Sequence, residues 1–371
     1  MRELQEIVDD LATVLGRPIS VEDRRYRLVA HSAHGGQADP VRRDSILRRR
    51  VEEPVIDYLR AHGVERAQSA VAIPAAPELG MAARTCHPLR SHDALLGFLW
   101  VLDGERELSA ADRAALEATA AVVGEELWRR RERRDAARRR HREQLAHVLS
   151  DADGAADAAA QLAGELGSGP YALAIAPGDE ALAETARRRW AFGELVAGED
   201  DGHAVVVAAV GTSGPRALAA TLQRAGAPLA SAGGPVDDLA RLAAAHRQAQ
   251  TAAWAARADP QRFAPVVTYA DLGGWATVIE LWLAAGRPGP PAMVEAIADH
   301  RAGDELIAAA EAVLDGGSDM AAIAQRLHVH RGTLYRRIER IEELTGLDLA
   351  DGDDRLALHL ALRLRRLARA A

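Results

Sequence analysis

Asp319-Met-Ala-Ala-Ile-Ala-Gln-Arg-Leu-His-Val-His-Arg-Gly-Thr-Leu-Tyr-Arg-Arg-Ile-Glu-Arg-Ile341 is the most informative stretch of this chain. It predicts two short helices on either side of a tight turn at His328-Val-His330, and the second helix is densely basic at its start. This pattern is typical of a helix-turn-helix, in which the second helix reads the major groove of DNA.

Apolar residues recur at helical spacing in both halves of the stretch. The predicted stripes are Ala321, Ala324 and Leu327 in the first helix, and Leu334, Ile338 and Ile341 in the second. Ser318 or Asp319 can cap the first helix, because a short side-chain oxygen accepts a hydrogen bond from an otherwise unpaired amide. Val329 is expected to fill the gap between the two helices, and the small Ala324 lets them cross closely.

The polar face of the second helix supplies the candidate DNA-binding residues. Guanidinium groups neutralise phosphates and can donate two hydrogen bonds to the O6 and N7 atoms of guanine. An ordinary solvated helix face is the competing interpretation, because arginines occur throughout the chain. The candidates are His330, Arg331, Thr333, Tyr335, Arg336, Arg337 and Arg340, opposed by the single acid Glu339.

The region from about Asp304 to Leu367 resembles the C-terminal DNA-binding module of the PucR/CdaR family of bacterial transcriptional regulators, and is also similar to the Fis-type helix-turn-helix. The resemblance rests on His-Arg-Gly-Thr-Leu-Tyr-Arg-Arg-Ile, the Glu-Glu-Leu-Thr-Gly turn and the Leu-rich terminal helix. Gly332 departs from the family pattern, which more often has Asn there. Since Gly costs little in the first turn of a helix, this departure weakens base reading more than folding.

Composition limits the class of protein. The 371 residues are too many for one compact core, so two or three domains are expected. The cationic side chains are all arginine, and the formal net charge is −8. An acidic chain is poorly suited to coating nucleic acid non-specifically, but a local basic surface still permits specific binding.

Cys86 is the single cysteine, which excludes an intrachain disulfide and a cysteine-based zinc site. The N-terminus lacks the apolar segment of a signal peptide, and the longest apolar run, residues 94–102, is about half a membrane span. We expect a cytoplasmic protein that has no membrane partner and needs no cofactor.

In the N-terminal segment, a helical stripe from Leu4 to Leu15 precedes four strand-like segments, 18–23, 26–31, 69–74 and 95–103, with a helix predicted over 44–62. This order of elements resembles a GAF domain, and the resemblance implies a small-molecule effector bound between a sheet and its loops. The candidates for lining this pocket are His31, His34, Cys86, His87 and His92. Their spacing does not match that of metal or ligand-binding motifs, so roles in the core or at the surface are favoured for each.

Residues 110–149 predict one long helix. Its apolar positions Leu116, Val123 and Leu127 are expected to form the seam of a homodimer. The arginine-rich stretch that follows them is expected to pair with the same helix of the second copy and to transmit a signal along its length. A second, non-specific nucleic-acid contact is the alternative for the arginines, and the interspersed acids disfavour it.

The middle of the chain predicts strands at 171–176 and 204–210 and helices at 180–189, 216–225 and 237–257. Its run Ser231-Ala-Gly-Gly-Pro-Val-Asp-Asp-Leu-Ala-Arg-Leu242, followed by segments 244–252 and 267–273, resembles the GGDEF-like domain of the same family. Asp200 and Asp201 could hold a cation, but a solvated hairpin tip is the favoured interpretation. P-loop, nucleophile-elbow and zinc-protease motifs are absent from the sequence, so catalysis is not expected.

Together these patterns predict a multidomain α+β protein: a GAF-like sensor over 1–128, a connector helix over 129–165, a catalytically silent GGDEF-like domain over 166–285, a linker over 286–303 and an all-α helix-turn-helix domain over 304–371. The predicted function is a homodimeric regulator of catabolic or transport genes that binds double-stranded operator DNA and responds to a small-molecule effector. The alternative is a signalling protein that binds or cyclises nucleotides through the GGDEF-like domain.

Overall fold

A computed structural model describes residues 3–33, 39–102, 107–150, 155–316 and 319–371. The chain divides into two compact units, Met1–Ala137 and Arg138–Ala371. Each combines helices with one five-stranded sheet, in agreement with the mixed helix and sheet composition that the sequence predicts.

The first unit is built on an antiparallel sheet with the strand order β2-β1-β5-β4-β3. Its elements are α1 (Leu4–Leu15), β1 (Ile19–Asp23), β2 (Leu28–His31), α2 (Pro40–Arg48), α3 (Glu53–Ala61), β3 (Val71–Ile73), β4 (Arg84–Ser91), β5 (Ala94–Leu102) and the start of α4 (Ala110–Leu149).

Strand alternation explains why this sheet is covered on both faces. Along β5, Leu99 and Val101 pack with α1 and α4, whereas Phe98 and Trp100 pack on the opposite face with α3. Successive side chains of a strand point to opposite faces of the sheet. A strand that is apolar at every position must therefore be covered on both faces.

The single helix predicted over 44–62 is wrong, because the structure has two helices there. Arg49 ends α2 in the left-handed region at φ 55°. The next residues pair with the β1–β2 hairpin instead, through hydrogen bonds from Leu28 N to Arg49 O and from Val51 N to Tyr26 O, each 3.2 Å long. Pro54 then lies in the first turn of α3, where a missing amide hydrogen costs least.

The predicted dimer seam is also wrong. Leu116 and Val123 are buried in the core between α4, α1 and the sheet, and Leu127 packs against that core. The spacing along α4 correctly identified an apolar face, but that face is covered by the same chain rather than by a second copy. A helical period shows which residues share a face and not what covers it.

The second unit contains a sheet with the order β10-β9-β6-β8-β7, antiparallel except for the parallel pair β9 and β10. After the end of α4 its elements are α5 (Ala155–Leu166), β6 (Tyr171–Pro177), α6 (Glu180–Arg189), β7 (Leu195–Asp200), β8 (His203–Ala209), α7 (Gly214–Ala225), β9 (Ala230–Val236), α8 (Leu242–Ala258), α9 (Pro260–Phe263), β10 (Val266–Thr268), α10 (Gly274–Ala284), α11 (Ala292–Ala298), α12 (Gly303–Gly316), α13 (Met320–Arg326), α14 (Arg331–Thr345) and α15 (Gly352–Ala370).

Small residues bring the helices of this unit close to the sheet. On β6, Ala172, Ala174 and Ala176 face α6 and α7, whereas Leu173 and Ile175 face α5 and α8. The closest approach is at Gly233 of β9, where an added Cβ would lie 1.9 Å from the carbonyl oxygen of Ala245. Only glycine therefore fits this crossing of strand and helix.

Helix α15 belongs to two hydrophobic cores. Leu358 and Leu362, in its first half, are buried among α11–α14, and Leu367, near its end, is buried with Trp254 and Trp282 of α8 and α10. The interval 286–303, predicted to be a linker, contains α11, whose Val294 and Ile297 lie in the first of these cores.

Among the described residues, no helix combines the length and the apolar character that crossing a lipid bilayer requires.

Arg366 joins the two cores by a three-point contact. Its Nε and Nη2 atoms donate to Glu311 of α12 at 2.7 and 2.6 Å, and Nη1 donates to Asp259 at the end of α8 at 2.8 Å. We expect Arg366→Gln to lower the free energy of unfolding of the full chain by about 1–3 kcal/mol, because charge-assisted hydrogen bonds are lost. Chemical denaturation measures this, with the exposed Arg369→Gln as the control. Equal stability of both variants would contradict a role for the contact.

Candidate nucleic-acid interface

The turn between α13 and α14 is fixed by local hydrogen bonds. Asp319 Oδ1 accepts from the amides of Ala321 and Ala322 at 3.0 Å, so the predicted cap is confirmed, whereas Ser318 lies outside the described residues. His328 adopts φ 52° at the end of α13, and Val329 packs into the domain core between the helices. The chain therefore reverses within a few residues and presents α14 at a defined angle.

One predicted stripe needs correction. Ala321 is exposed, and Ile323 joins Ala324 in the core of α13. The predicted stripe differs from the buried face because both alanine and isoleucine occur at helical spacing in this short helix. The larger isoleucine side chain gains more free energy from burial. In α14 the prediction is confirmed, since Leu334 and Ile341 are fully buried and Ile338 packs beside them.

His330 is the N-cap of α14. Its Nδ1 atom accepts a hydrogen bond of 3.2 Å from the amide of Gly332, which leaves the proton of the neutral ring on Nε2. The imidazole thus starts the helix, and the residue is exposed. A Cβ added to Gly332 would meet only this ring, at 3.4 Å, so the surface of the first turn is open.

The exposed side chains at the start of α14 are Arg331, Tyr335 and Arg336. Within the described part of the chain, the Arg331 guanidinium has no hydrogen-bonding or ionic partner, and that of Arg336 only donates to the carbonyl oxygen of Gly332 at 3.3 Å. Tyr335 is 45% exposed, although it is a large ring with an apolar face. These groups are free to contact an external partner.

The other candidates are engaged within the domain. Arg337 forms an ion pair with Glu305 of α12, and Arg340 contacts Glu343 at 2.6 Å. Arg340 Nε also lies 3.4 Å from Nε2 of His300. Thr333 is half-buried. Of the seven predicted residues, Arg337 therefore ties α14 to α12 through an ion pair, whereas Arg331, Tyr335 and Arg336 are exposed.

Comparison with known proteins identifies this module. Residues 306–364 match the PucR C-terminal helix-turn-helix domain. The chain is 30% identical over 128 residues to the DNA-binding transcriptional activator AdeR of Bacillus subtilis, a match that covers 33% of this chain and 30% of AdeR.

Two shorter matches agree. The chain is 56% identical over 43 residues to the carbohydrate diacid regulator of Escherichia coli, covering 12% of this chain and 11% of that protein. It is 35% identical over 75 residues to the purine catabolism regulatory protein of Bacillus subtilis, covering 20% and 14%. In each case the match spans less than a third of the relative.

A helix-turn-helix with an exposed, arginine-bearing second helix is the arrangement typical of DNA-binding modules. These matches confirm the predicted resemblance of the module to that of PucR/CdaR-family transcriptional regulators.

The predicted pocket residues of the first unit do not converge. Cys86 is fully buried beside Trp100, its partner across the strands, and His87 points to the opposite face of the sheet. His92 is exposed and stacks on Trp128, and His34 lies outside the described residues. His31 is half-buried, with its ring 3.3 Å from the carbonyl oxygen of Ser32. Burial raises the pKa of the Cys86 thiol, which keeps it protonated and poorly reactive.

Sequence reasoning missed a group of buried charges on the Cys86 face. Arg84 pairs with Asp39, which also caps α2 by accepting from Arg42 N at 2.7 Å. Arg42 donates through Nη2 to the carbonyl oxygens of Ile19 and Ser32 at 3.2 Å, and its buried Nη1 has no partner among the described residues. Arginine at these positions has no distinctive spacing, so only the fold reveals the group.

Glu22 completes the group. Its carboxyl is buried and accepts a 2.9 Å hydrogen bond from Trp100 Nε1. Burial raises the pKa of Glu22 to about 8, against the lowering effects of the Trp100 hydrogen bond and of Arg84. Near neutral pH this carboxyl is mainly protonated.

In the second unit, Asp200 and Asp201 lie at the tip of the β7–β8 hairpin. The Asp200 carboxylate is 3.7 Å from Nε2 of His246, and Asp201 occupies the left-handed turn position. Within residues 155–316 and the other described ranges, no group of three histidine, cysteine or acidic side chains could hold a metal ion.

The buried carboxyl predicts a pH-dependent stability. Because folding raises the pKa of Glu22 from 4.5 to about 8, ionising it costs folding free energy, and this cost grows as pH rises from 4.5 to 8 and is complete above 8. We expect Glu22→Gln to be more stable than the native chain at pH 8.5, by at most about 5 kcal/mol, and nearly equal at pH 4.5.

Thermal unfolding across this pH range measures the difference. The exposed Glu117→Gln serves as the control and should track the native chain at every pH. A Glu22→Gln advantage that does not change with pH would show that the carboxyl does not titrate as described.

Proposed function

We propose that the chain is a homodimeric, sequence-specific DNA-binding transcriptional regulator that responds to a small-molecule effector. The observation that carries the proposal is the outward surface of α14, where Arg331 and Arg336 make no ion pair within the described chain. Guanidinium groups at the start of a recognition helix can reach base edges, whereas groups further along the helix meet phosphates. The family match over residues 306–364 supports this assignment.

The roles of the seven candidates differ in this proposal. Arg331 and Arg336 read bases, Tyr335 and Thr333 contact sugar or phosphate, and His330 positions the first turn through its cap. Arg337 acts mainly by holding α14 against Glu305 of α12, and Arg340 pairs with Glu343 of the same helix. Arg340 can still approach phosphate, because its side chain remains 44% exposed.

A homodimer follows from the logic of operator recognition. One helix-turn-helix buries too little surface to select one site in a genome, and a dimer reads two half-sites. A second face of α4 is suited to the contact, since it forms with α1 an apolar groove of about 830 Å³. Val14 and Val122 line the groove and are 65% and 54% exposed. The groove lining also includes Asp10, Glu125 and Arg129, and Arg129 forms an ion pair with Glu125 at 3.1 Å.

The first unit is the proposed sensor, in line with its resemblance to a GAF domain. The unpartnered Nη1 of Arg42 and the mainly neutral carboxyl of Glu22 lie in its interior, and unsatisfied buried polar groups are unusual unless a function uses them. Helix α4 continues from this unit into the second, which supports a route to the DNA reader.

The second unit is proposed to contain a non-catalytic GGDEF-like domain, and the names of the relatives support catabolic genes as targets.

Removing the free arginines tests DNA reading. We expect Arg331→Ala or Arg336→Ala to weaken binding to a selected operator by about 1–3 kcal/mol, because hydrogen bonds to base edges are lost. Fluorescence anisotropy with an operator obtained by selection from random DNA measures this. Arg369→Ala, an exposed arginine at the end of α15, is the control. If all three variants bound the operator as the native chain does, the assignment of α14 would be wrong.

A charge in the apolar groove tests the dimer. We expect Val122→Asp to shift the chain from dimer to monomer at micromolar concentration, because it buries an unpaired carboxylate in the proposed contact. Light scattering coupled to gel filtration measures the mass. Leu281→Asp, at an apolar residue of α10 that is at least as exposed, should remain dimeric. A native chain that is monomeric with and without operator would exclude this assembly.

A further inference from the structure

The first unit has a strongly basic cleft of about 520 Å³ beside the β1–β2 hairpin. We name it the arginine cleft. Its apolar floor is formed by Leu28, Val51 and Ile56, and its charged lining consists of Arg25, Arg27, Arg48, Arg49, Arg50 and Glu53. Such a concentration of positive charge is notable in a chain whose formal net charge is −8.

Backbone pairing forces these arginines together. Arg27 and Arg50 face each other across an antiparallel bridge, and the flanking hydrogen bonds from Leu28 N to Arg49 O and from Val51 N to Tyr26 O fix that register. Like charges directly opposite each other destabilise a strand pair. The fold therefore maintains an electrostatic repulsion that an anion between the two side chains would relieve.

The surrounding acids do not balance the charge. Glu52 pairs with Arg48 at 2.5 Å, and Glu53 of the lining lies 3.5 Å from Arg60, which is not part of the cleft. Among the described residues, the guanidinium groups of Arg25, Arg27, Arg49 and Arg50 have no hydrogen-bonding or ionic partner. Four positive charges thus remain around one concave surface.

We propose that the arginine cleft binds a small molecule that carries two or three linked phosphates. Linked phosphates supply three or four negative charges in a compact volume, and their oxygens accept paired hydrogen bonds from guanidinium groups. The volume is in the range of small-molecule sites, and the apolar floor accommodates an organic group attached to the phosphates. This site is separate from the recognition helix, and the proposal does not depend on DNA binding.

Calorimetric titration of the full chain with inorganic tripolyphosphate, ATP and adenosine tests the proposal. We expect tripolyphosphate and ATP to bind with one site per chain, with an affinity that falls as salt is added, and adenosine to give no signal. Binding of ATP that is tighter than that of tripolyphosphate would identify a ligand with an organic group.

Matched variants locate the site. Arg27→Gln combined with Arg50→Gln should weaken tripolyphosphate binding at least about tenfold, because two charge-assisted contacts are lost. This variant should keep or raise the melting temperature, since it removes a repulsion. Arg66→Gln combined with Arg113→Gln removes the same charge from exposed positions of the same unit and should bind as the native chain does. Arg331→Ala should also leave tripolyphosphate binding unchanged.

Two outcomes would overturn the proposal. One is the absence of tripolyphosphate binding to the native chain at millimolar concentration and physiological salt. The other is equal binding by the native chain and the Arg27→Gln, Arg50→Gln variant. If that variant instead lost operator affinity while tripolyphosphate did not bind, the cleft would be a contact for the DNA backbone.

Discussion

The burial of helix α15 in two cores is the constraint on which the arrangement of the second unit depends. Its first half completes the core of the helix-turn-helix, and its last turns are packed with the tryptophans of α8 and α10. Moving one core relative to the other would expose Leu362 or Leu367 and break the contacts of Arg366 with Glu311 and Asp259. Helix α14 is therefore held by the same packing that holds the central sheet, rather than by a flexible tether.

Arginine is used in this chain in two different ways. Arg337 and Arg366 are paired with acids of other helices and fix helices to one another, whereas Arg340 pairs with Glu343 within α14. Arg331 and Arg336 on α14 are not paired with acids, and their charge is available to a partner. Since paired charges contribute little to the potential around the protein, the formal composition says less about DNA binding than the location of the unpaired groups. An overall acidic chain with a local basic surface also limits non-specific binding.

The parts of the fold that sequence could predict are those in which local patterns decide. The stripe of Leu334, Ile338 and Ile341, the cap at Asp319 and the bounds of α6 follow from helical period and capping chemistry. The break at Arg49 was missed because it results from pairing with a distant hairpin. The partners of Arg337 were missed because Glu305 is far away in the sequence. The buried group around Glu22 was missed for the same reason, since its members come from four separate segments.

The seam on α4 shows how a correct pattern can lead to a wrong partner. Leu116 and Val123 recur with the period of a helix face, and both a second copy and a folded sheet could cover them. In the folded chain the sheet of the first unit covers them, because the sheet must bury this face and α4 is long enough to lie across it. The apolar surface of α4 that stays exposed runs through Ala118 and Val122. These side chains are small, so they produce only a weak helical period of hydrophobicity in the sequence. A dimer contact of this kind is recognised from exposure on the folded chain, and the full apolar stripe is a poor guide to it.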